Sequence, residues 1–355
     1  MDIKEFCIQS NSTIIEGIKG LDKSAKKIIL VTEDEKLVGV VTDGDVRRWI
    51  LQNGSFEDNI KKIMNSHPIY VYEHERQRAK EIFNEKRIDA IPVINEAHNV
   101  VDMVFLQDFL EKSKQKNNHL KQVPIVIMAG GKGTRLYPYT KVLPKPLIPI
   151  GDKTILEHIM DRFMDYGCQN FYITVNYKKN MIKAYLQEIP EEVNINYVEE
   201  EKFLGTGGSL FLLKGIIDKT FILSNCDILI EADYEDILRY HKESGNRITM
   251  VTSLKNYTIP YGVIKSSNGG SISEIIEKPE YNFQVNTGFY ILEPEVLGEI
   301  PENKFFHITE LINNYVENGK KVGVYPITGN SWLDMGEIKE MEVMINRLKV
   351  DKEQR

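Results

Sequence analysis

Gly130, Gly131 and Gly133, followed at once by Thr134 and Arg135 and then by Lys145, are the residues whose types and spacing most clearly imply chemistry. A glycine turn lets backbone N–H groups approach an anion closely. A guanidinium and an ammonium beside that turn add fixed positive charge. Together they make a site for a polyphosphate. The apolar run at 123–129, rich in β-branched residues, predicts a buried parallel strand that delivers the turn. Two common phosphate loops are excluded by spacing. The P-loop pattern ends in Gly-Lys-Ser/Thr, which does not occur here at the required distance. The dinucleotide fingerprint needs a third glycine where Leu136 stands. No Ser-His-Asp or Cys-His arrangement for nucleophilic catalysis is visible.

Residues 130–146 read Gly-Gly-Lys-Gly-Thr-Arg-Leu-Tyr-Pro-Tyr-Thr-Lys-Val-Leu-Pro-Lys-Pro. This string resembles the signature of sugar-1-phosphate nucleotidylyltransferases: Gly-Gly-x-Gly-Thr-Arg-Leu, then Pro, then Thr, then Pro-Lys-Pro. The resemblance implies that a sugar-1-phosphate oxygen attacks the α-phosphorus of an NTP and pyrophosphate leaves. Charge then develops on phosphate oxygens, so positioning and electrostatics carry the reaction. It implies that Gly130, Gly131, Gly133 and Thr134 hold the nucleotide, that Arg135 faces its β- and γ-phosphates, and that Lys145 neutralises the transition state. It also implies Mg²⁺. Residues 220–227 read as a buried strand ending in the Asp227 carboxylate, at the strand end where ligands gather in an α/β sheet, and Asp227 matches the family's metal aspartate, found in strings such as Asn-x-Asp or Gly-Asp. Asp334 lies in Trp332-Leu333-Asp334-Met335-Gly336, which matches the family's Trp-x-Asp-x-Gly. Two such carboxylates with phosphate oxygens and waters suit octahedral Mg²⁺.

The same resemblance implies an acceptor pocket. Glu277-Lys278-Pro279 matches a Glu-Lys-Pro motif in which Glu277 takes sugar hydroxyls and Lys278 the sugar phosphate. Asn286-Thr287-Gly288-Phe289-Tyr290 matches the sugar-pocket strand, with Asn286 as a polar reader beside Thr287. Tyr261-Gly262-Val263-Ile264 matches the glycine against which the sugar lies. Leu204-Gly205-Thr206-Gly207-Gly208 resembles the base-binding segment, where Gly130, Gly205 and Gly207 let backbone approach the base. Glu200 stands five positions before Gly205, where thymidylyl and uridylyl relatives often carry Gln. A carboxylate only accepts hydrogen bonds. It pairs with the adjacent N1–H and N2–H₂ donors of guanine and opposes the carbonyls of uracil. The nucleotide expected is therefore GTP.

These motifs must be positioned by 355 residues, a length that favours two domains. Apolar content of 42% and charged content of 27% describe a globular chain. Cys7, Cys168 and Cys226 are too few and too scattered for a disulfide framework or a zinc site, and fit a reducing cytoplasm. No signal peptide is visible, and no apolar run approaches the roughly 20 residues that a membrane helix needs. Net charge is −7. Residues 1–122 hold 19 Lys+Arg against 20 Asp+Glu, and the remainder 26 against 32. An acidic catalytic half must bind its triphosphate with local basic residues and a divalent cation. The same balance argues against nucleic acid as a partner, since that needs a basic face.

The polar stretch 112–122 is the expected linker. Before it lies an internal repeat of about 63 residues, in which residues 26–31 correspond to 89–94 and 37–46 to 100–109. Each half reads helix, strand, turn, strand, helix. The halves resemble a tandem CBS-domain pair, through Pro68-Ile69-Tyr70-Val71, Ile91-Pro92-Val93 and Gly39-Val40-Val41-Thr42-x-x-Asp45. That resemblance implies an adenosyl ligand whose ribose is held by Thr42 and Asp45. In the second half Asp102 and Phe105 replace the Gly and the Thr, although Asp108 remains, so one ribose site is expected. Asp45 also suits the start of the helix at 46–50 as a cap, and both uses can coexist.

The expectation is an α/β chain: a CBS pair at 1–118, α+β in class and regulatory, then a Rossmann-like nucleotidyltransferase domain at 123–348 with a mixed, mostly parallel sheet. Its partners would be GTP, a sugar 1-phosphate and an adenine nucleotide, without nucleic acid or membrane, in a homo-oligomer. Glucosamine 1-phosphate, on a route to a nonulosonic acid, is the specific acceptor expected. Mannose and heptose 1-phosphates, and uridylyl or cytidylyl transfer, are the alternatives. A nucleotide sensor with an inactive transferase domain would have lost Arg135, Lys145, Asp227 or Asp334, and all four are present.

Overall fold

The apolar run at 123–129 forms the buried strand Ile125–Met128 in a computed structural model that describes residues 3–24, 27–86, 88–106, 120–189 and 193–353. That strand pairs in parallel with Asn170–Val175 on one side and Phe221–Asn225 on the other. Asn194–Glu199 continues the parallel set beyond Asn170–Val175. Glu280–Leu292 and Ile248–Thr258 then add antiparallel strands, and Val322–Ile327 completes seven. The sheet is thus mixed with a mostly parallel centre, as expected. Four parallel strands point their carboxyl ends the same way, so the segments that follow residues 128, 175, 199 and 225 converge.

Val126, Leu223, Tyr290 and Leu292 lie in a core cluster with Phe306, Leu311 and Tyr315. Elsewhere the ring of Phe163, from the helix Ile155–Asp165, packs 6.3 Å from Phe171 and 6.0 Å from Phe289. Thr154 and Glu157 start that helix with a reciprocal capping box. In the stretch read as a linker, residues 112–119 lie outside the described set. Leu120, the one apolar residue of that stretch, is 2% exposed, and its N–H donates to the Tyr166 carbonyl (3.3 Å). Burial of a single Leu here overrides the polar composition around it.

The chain divides into two compact units, residues 1–115 with 326–330 and residues 116–325 with 331–355. In the first, the repeat appears as two sheets of equal topology. Cys7–Gln9 pairs in parallel with Ile28–Glu33, which pairs antiparallel with Lys36–Thr42. Val71–Tyr72, Ala90–Ile94 and Val100–Phe105 repeat that order. The short leading strands were not anticipated. Phe6, Leu30 and Val40 of one half share a core with Ala90 and Met103 of the other. Asp108 lies outside the described residues, so the second ribose position is not placed.

Candidate active site

The residues following Ile125–Met128 form a turn in which Gly133 has φ +65°. A Cβ there would stand 2.9 Å from Lys145 Cβ and 2.9 Å from Thr140 Cγ2. Only glycine tolerates both the left-handed backbone and that approach. The Thr140 hydroxyl donates to the Gly133 carbonyl (3.0 Å), which ties the turn to the segment leading to Lys145. Thr134 and Arg135 continue into a short 3₁₀ turn, Thr134–Leu136. Gly131 has open space around it. Lys145 is 8% exposed and its ammonium pairs with the carboxylate of Asp227, just past the end of Phe221–Asn225.

Asp227 and Asp334 come together through strand pairing. Ile228–Ile230 runs antiparallel to Trp332–Asp334, with Ile228 opposite Asp334, and the Met335 N–H donates to the Asp227 carbonyl (2.8 Å). Burial pushes the Asp334 carboxyl up to about 6, and the negative charges of Asp227 and Glu340 add to this against Lys145 and Arg135. Two carboxylates held this close repel, and a cation between them relieves the repulsion. Among the described residues no group of three or more His, Cys, Asp or Glu surrounds a common point. Two carboxylates are oxygen donors of the kind that hard divalent cations take alongside phosphate and water oxygens.

Arg135, Asp227 and Asp334 line a cavity of about 250 Å³. Thr206, Asn286 and Thr287 line it too. So do Asn225, Ile228, Gly288, Tyr290, Ile308, Thr309 and Trp332, none of which was singled out as a site residue. Gly288 has φ +86°, and a Cβ on it would meet Asn225 Nδ2 at 2.4 Å. Lys145, Gly262, Glu277 and Lys278 are outside the lining. Gly262 and Glu277 are nevertheless neighbours, because a Cβ on Gly262 would stand 2.9 Å from Glu277 Oε2. They flank the hairpin of Val263–Ser266 and Ile272–Ile276. Glu277 and Lys278 are exposed, and Lys278 adopts φ +45°.

Glu200 follows Asn194–Glu199 and is 3% exposed. Its Oε2 accepts the Leu204 N–H (3.0 Å), and Oε1 would stand 2.6 Å from a Cβ on Gly130. Burial pushes its carboxyl up, against the Leu204 N–H and the Ser209 hydroxyl. Glu199 behaves differently. Hydrogen bonds from Lys179 and Lys183 hold its exposed carboxyl down at about 2. Gly205, Gly207 and Gly208 have the Lys304–Ile308 backbone for neighbours. A Cβ on them would lie 2.6 Å from Phe306 O, Ile308 N and Lys304 O. Gly207 and Gly208 donate to the Phe306 carbonyl (3.0 Å each), and the Phe306 N–H donates to the Leu204 carbonyl (2.9 Å). The glycines of this segment serve packing against another loop.

In the first unit, Thr42 precedes the helix Asp43–Leu51, and its N–H and hydroxyl both donate to Asp45 Oδ2 (2.8 and 2.6 Å). Arg48 pairs with the other oxygen. The helix starts three residues earlier than the sequence suggested, so Thr42 is its N-cap and Asp45 lies in its first turn, where its carboxylate closes a capping box on the Thr42 N–H rather than capping the helix itself.

Residues 125–349 match the nucleotidyl transferase family, and residues 1–52 and 60–115 match the CBS domain. The bifunctional protein GlmU of Methanococcus maripaludis is 34% identical over 221 residues, 59% of this chain and 51% of that protein. The mannose-1-phosphate guanyltransferase of Schizosaccharomyces pombe is 31% identical over 224 residues, 61% of each chain. The chain thus spans about half the length of the GlmU protein it matches. In fold, the neighbours of this chain include HddC from Yersinia pseudotuberculosis, with a TM-score of 0.51 at 23% identity, covering 64% of this chain and 99% of that one.

Proposed function

Because the chain belongs to the nucleotidyl transferase family and carries CBS domains ahead of its catalytic residues, we propose that it transfers GMP from GTP to a sugar 1-phosphate. The observation that carries this is the convergence of Arg135, Asp227 and Asp334 on one cavity, with Lys145 paired to Asp227. A phosphate oxygen of the acceptor attacks the α-phosphorus, the bond to the β-bridging oxygen breaks, and its electrons leave with pyrophosphate. Arg135 supplies a bidentate donor to phosphate oxygens. Lys145 exchanges Asp227 for substrate oxygens when these arrive. Asp227 and Asp334 would hold Mg²⁺, which supplies charge neutralisation at the phosphates when bound. Glu200 selects guanine, which the guanylyltransferase names of several relatives support.

The acceptor we propose is glucosamine 1-phosphate. Mannose 1-phosphate is the second reading, supported by those same relatives. The CBS pair is proposed to take an adenine nucleotide at Thr42 and Asp45, and the enzyme to work in the cytoplasm as a dimer or higher oligomer. Among the described residues no helix is long and apolar enough to cross a membrane. Pyrophosphate release from four NTPs against glucosamine, mannose, heptose and glucose 1-phosphates tests the reaction. Turnover with GTP alone is expected, and equal or faster turnover with UTP or CTP would refute the base assignment.

A further inference from the structure

The polar groups around the cavity fall into two sets, according to whether their hydrogen bonds are already made inside the protein. Asn286 Nδ2 donates to the Tyr290 hydroxyl (2.6 Å), and its Oδ1 accepts the Gly288 N–H (3.0 Å). Thr287 is 2% exposed; its hydroxyl donates to the Val251 carbonyl (2.8 Å) and accepts the Phe289 N–H (3.3 Å). The Thr206 hydroxyl is bonded to His307 Nδ1 (3.1 Å) and receives the Ile308 N–H (3.5 Å). Asn286, Thr287 and Thr206, to which the motifs point, are therefore engaged with their own fold.

The second set has capacity left. Asn225 and Thr309 line the cavity, and neither the Asn225 amide nor the Thr309 hydroxyl has a protein partner among the described residues. The Tyr290 hydroxyl accepts from Asn286 but gives its own proton to no described acceptor. Trp332 Nε1 is buried without a partner. A polar group in a cavity that lacks a protein partner costs free energy unless a ligand or water satisfies it. These groups come from four elements. Asn225 ends Phe221–Asn225 two residues before Asp227, and Gly288 leaves room for its amide. Thr309 sits in the first turn of Ile308–Glu317, fixed by the hydrogen bond from the His307 N–H to Glu310 (2.8 Å).

We propose that Asn225, Thr309 and the Tyr290 hydroxyl read the ring substituents of the acceptor sugar, while Asn286 and Thr287 are positioning residues. This rests on the nucleotidyl-transfer reading of the cavity. One amide and two hydroxyls offer donors and acceptors without net charge. That suits ring hydroxyl or amino substituents, each of which can donate and accept. Asn286 aims the Tyr290 hydroxyl, and Thr287 fixes the turn at Gly288.

Steady-state kinetics of Thr309→Val, Asn225→Ala, Tyr290→Phe and Thr287→Val test this against mannose, glucose and glucosamine 1-phosphates. For the first three, KM for the sugar phosphate should rise roughly three- to ten-fold, as one hydrogen bond implies. KM for the NTP should stay within about two-fold, and the kcat/KM ratio between the epimers mannose and glucose 1-phosphate should change. Thr287→Val should lower thermal stability and leave that ratio alone. Unchanged ratios in Thr309→Val and Asn225→Ala, with a changed ratio in Asn286→Ala, overturn the proposal. A second readout is the fluorescence of Trp332 in a Trp49→Phe background, titrated with the same sugar phosphates. If the wild type turns over no substrate pair, the transfer reading fails. A fluorescence response lost in Thr309→Val then still supports the acceptor site, and no response in the unsubstituted cavity overturns it.

Discussion

Gly205→Ala should destabilise the second unit more than its single added methyl suggests. The residue has φ +84°, a backbone that costs an L-residue about 1–2 kcal/mol. Its new Cβ would also stand 2.6 Å from the Phe306 carbonyl oxygen, a backbone atom that cannot rotate away. The two segments must separate, and this strains the bonds from Gly207 and Gly208 to Phe306 and from Phe306 to Leu204. At about 1 kcal/mol for each weakened bond, added to the backbone cost, the total is about 4–5 kcal/mol. For a unit of this size that corresponds to a fall of about 8–20 °C in Tm. Gly215→Ala is the matched control. It has φ +77° with nothing within 4 Å of an added Cβ, so only the backbone cost of about 1–2 kcal/mol applies. Differential scanning calorimetry of both variants decides the matter. If Gly205→Ala and Gly215→Ala lower Tm equally, the close approach to Phe306 contributes nothing and the reasoning fails.

Other expectations follow from the same geometry. Asp227→Asn and Lys145→Met should each cut kcat about 10²–10³-fold, as loss of one charged group from such a site does, while circular dichroism stays native; wild-type pyrophosphate release in either variant would remove it from the site. Glu200→Gln should lower the kcat/KM preference for GTP over UTP about 10–100-fold, the size of one charge-assisted hydrogen bond; a constant ratio would reduce Glu200 to holding the Leu204 N–H. Burial pushes the Asp43 carboxyl from its usual 3.8 to about 6, helped by Asp22 and opposed by Lys27 and Arg47. Because the folded value is the higher one, the stability is present below pH 3.8 and lost as pH rises through about 6. Asp43→Asn should therefore stabilise by about 1–3 kcal/mol at pH 7.5 and gain little at pH 4; equal gains at both pH values would show that burial of the charge is not the cause.

Much of this was legible from local pattern. The strand Ile125–Met128, the turn after it and the repeat in the first unit all depend on neighbours close in sequence, where periodicity carries information. Asp227 and Asp334 were found because each is embedded in a recognisable string, and strand pairing then placed them side by side. What stayed hidden depends on contacts between distant segments. Nothing around Gly205 announces that Phe306 will fill its space. The hydroxyl of Thr287 looks free in a motif and is engaged by Val251 in the fold. Asn225 stands in the Asn-x-Asp string only as a neighbour of Asp227, and Thr309 carries no motif; an account of which cavity groups lack partners among the described residues brings them forward.

The loops at 204–208 and 304–308 are bonded to one another although Thr206 and Ile308 are 102 positions apart. Closing so long a loop carries an entropic cost that these bonds must offset. During synthesis the glycine turn and the central parallel strands emerge well before Phe306, Thr309, Trp332 and Asp334. A nascent chain that ends before residue 304 would present its glycine turn without two of the elements that line the cavity, Ile308–Glu317 and Trp332–Asp334. The cavity is thus incomplete until the second unit is nearly whole, and a chain interrupted earlier would lack Thr309, Trp332 and the second carboxylate, Asp334.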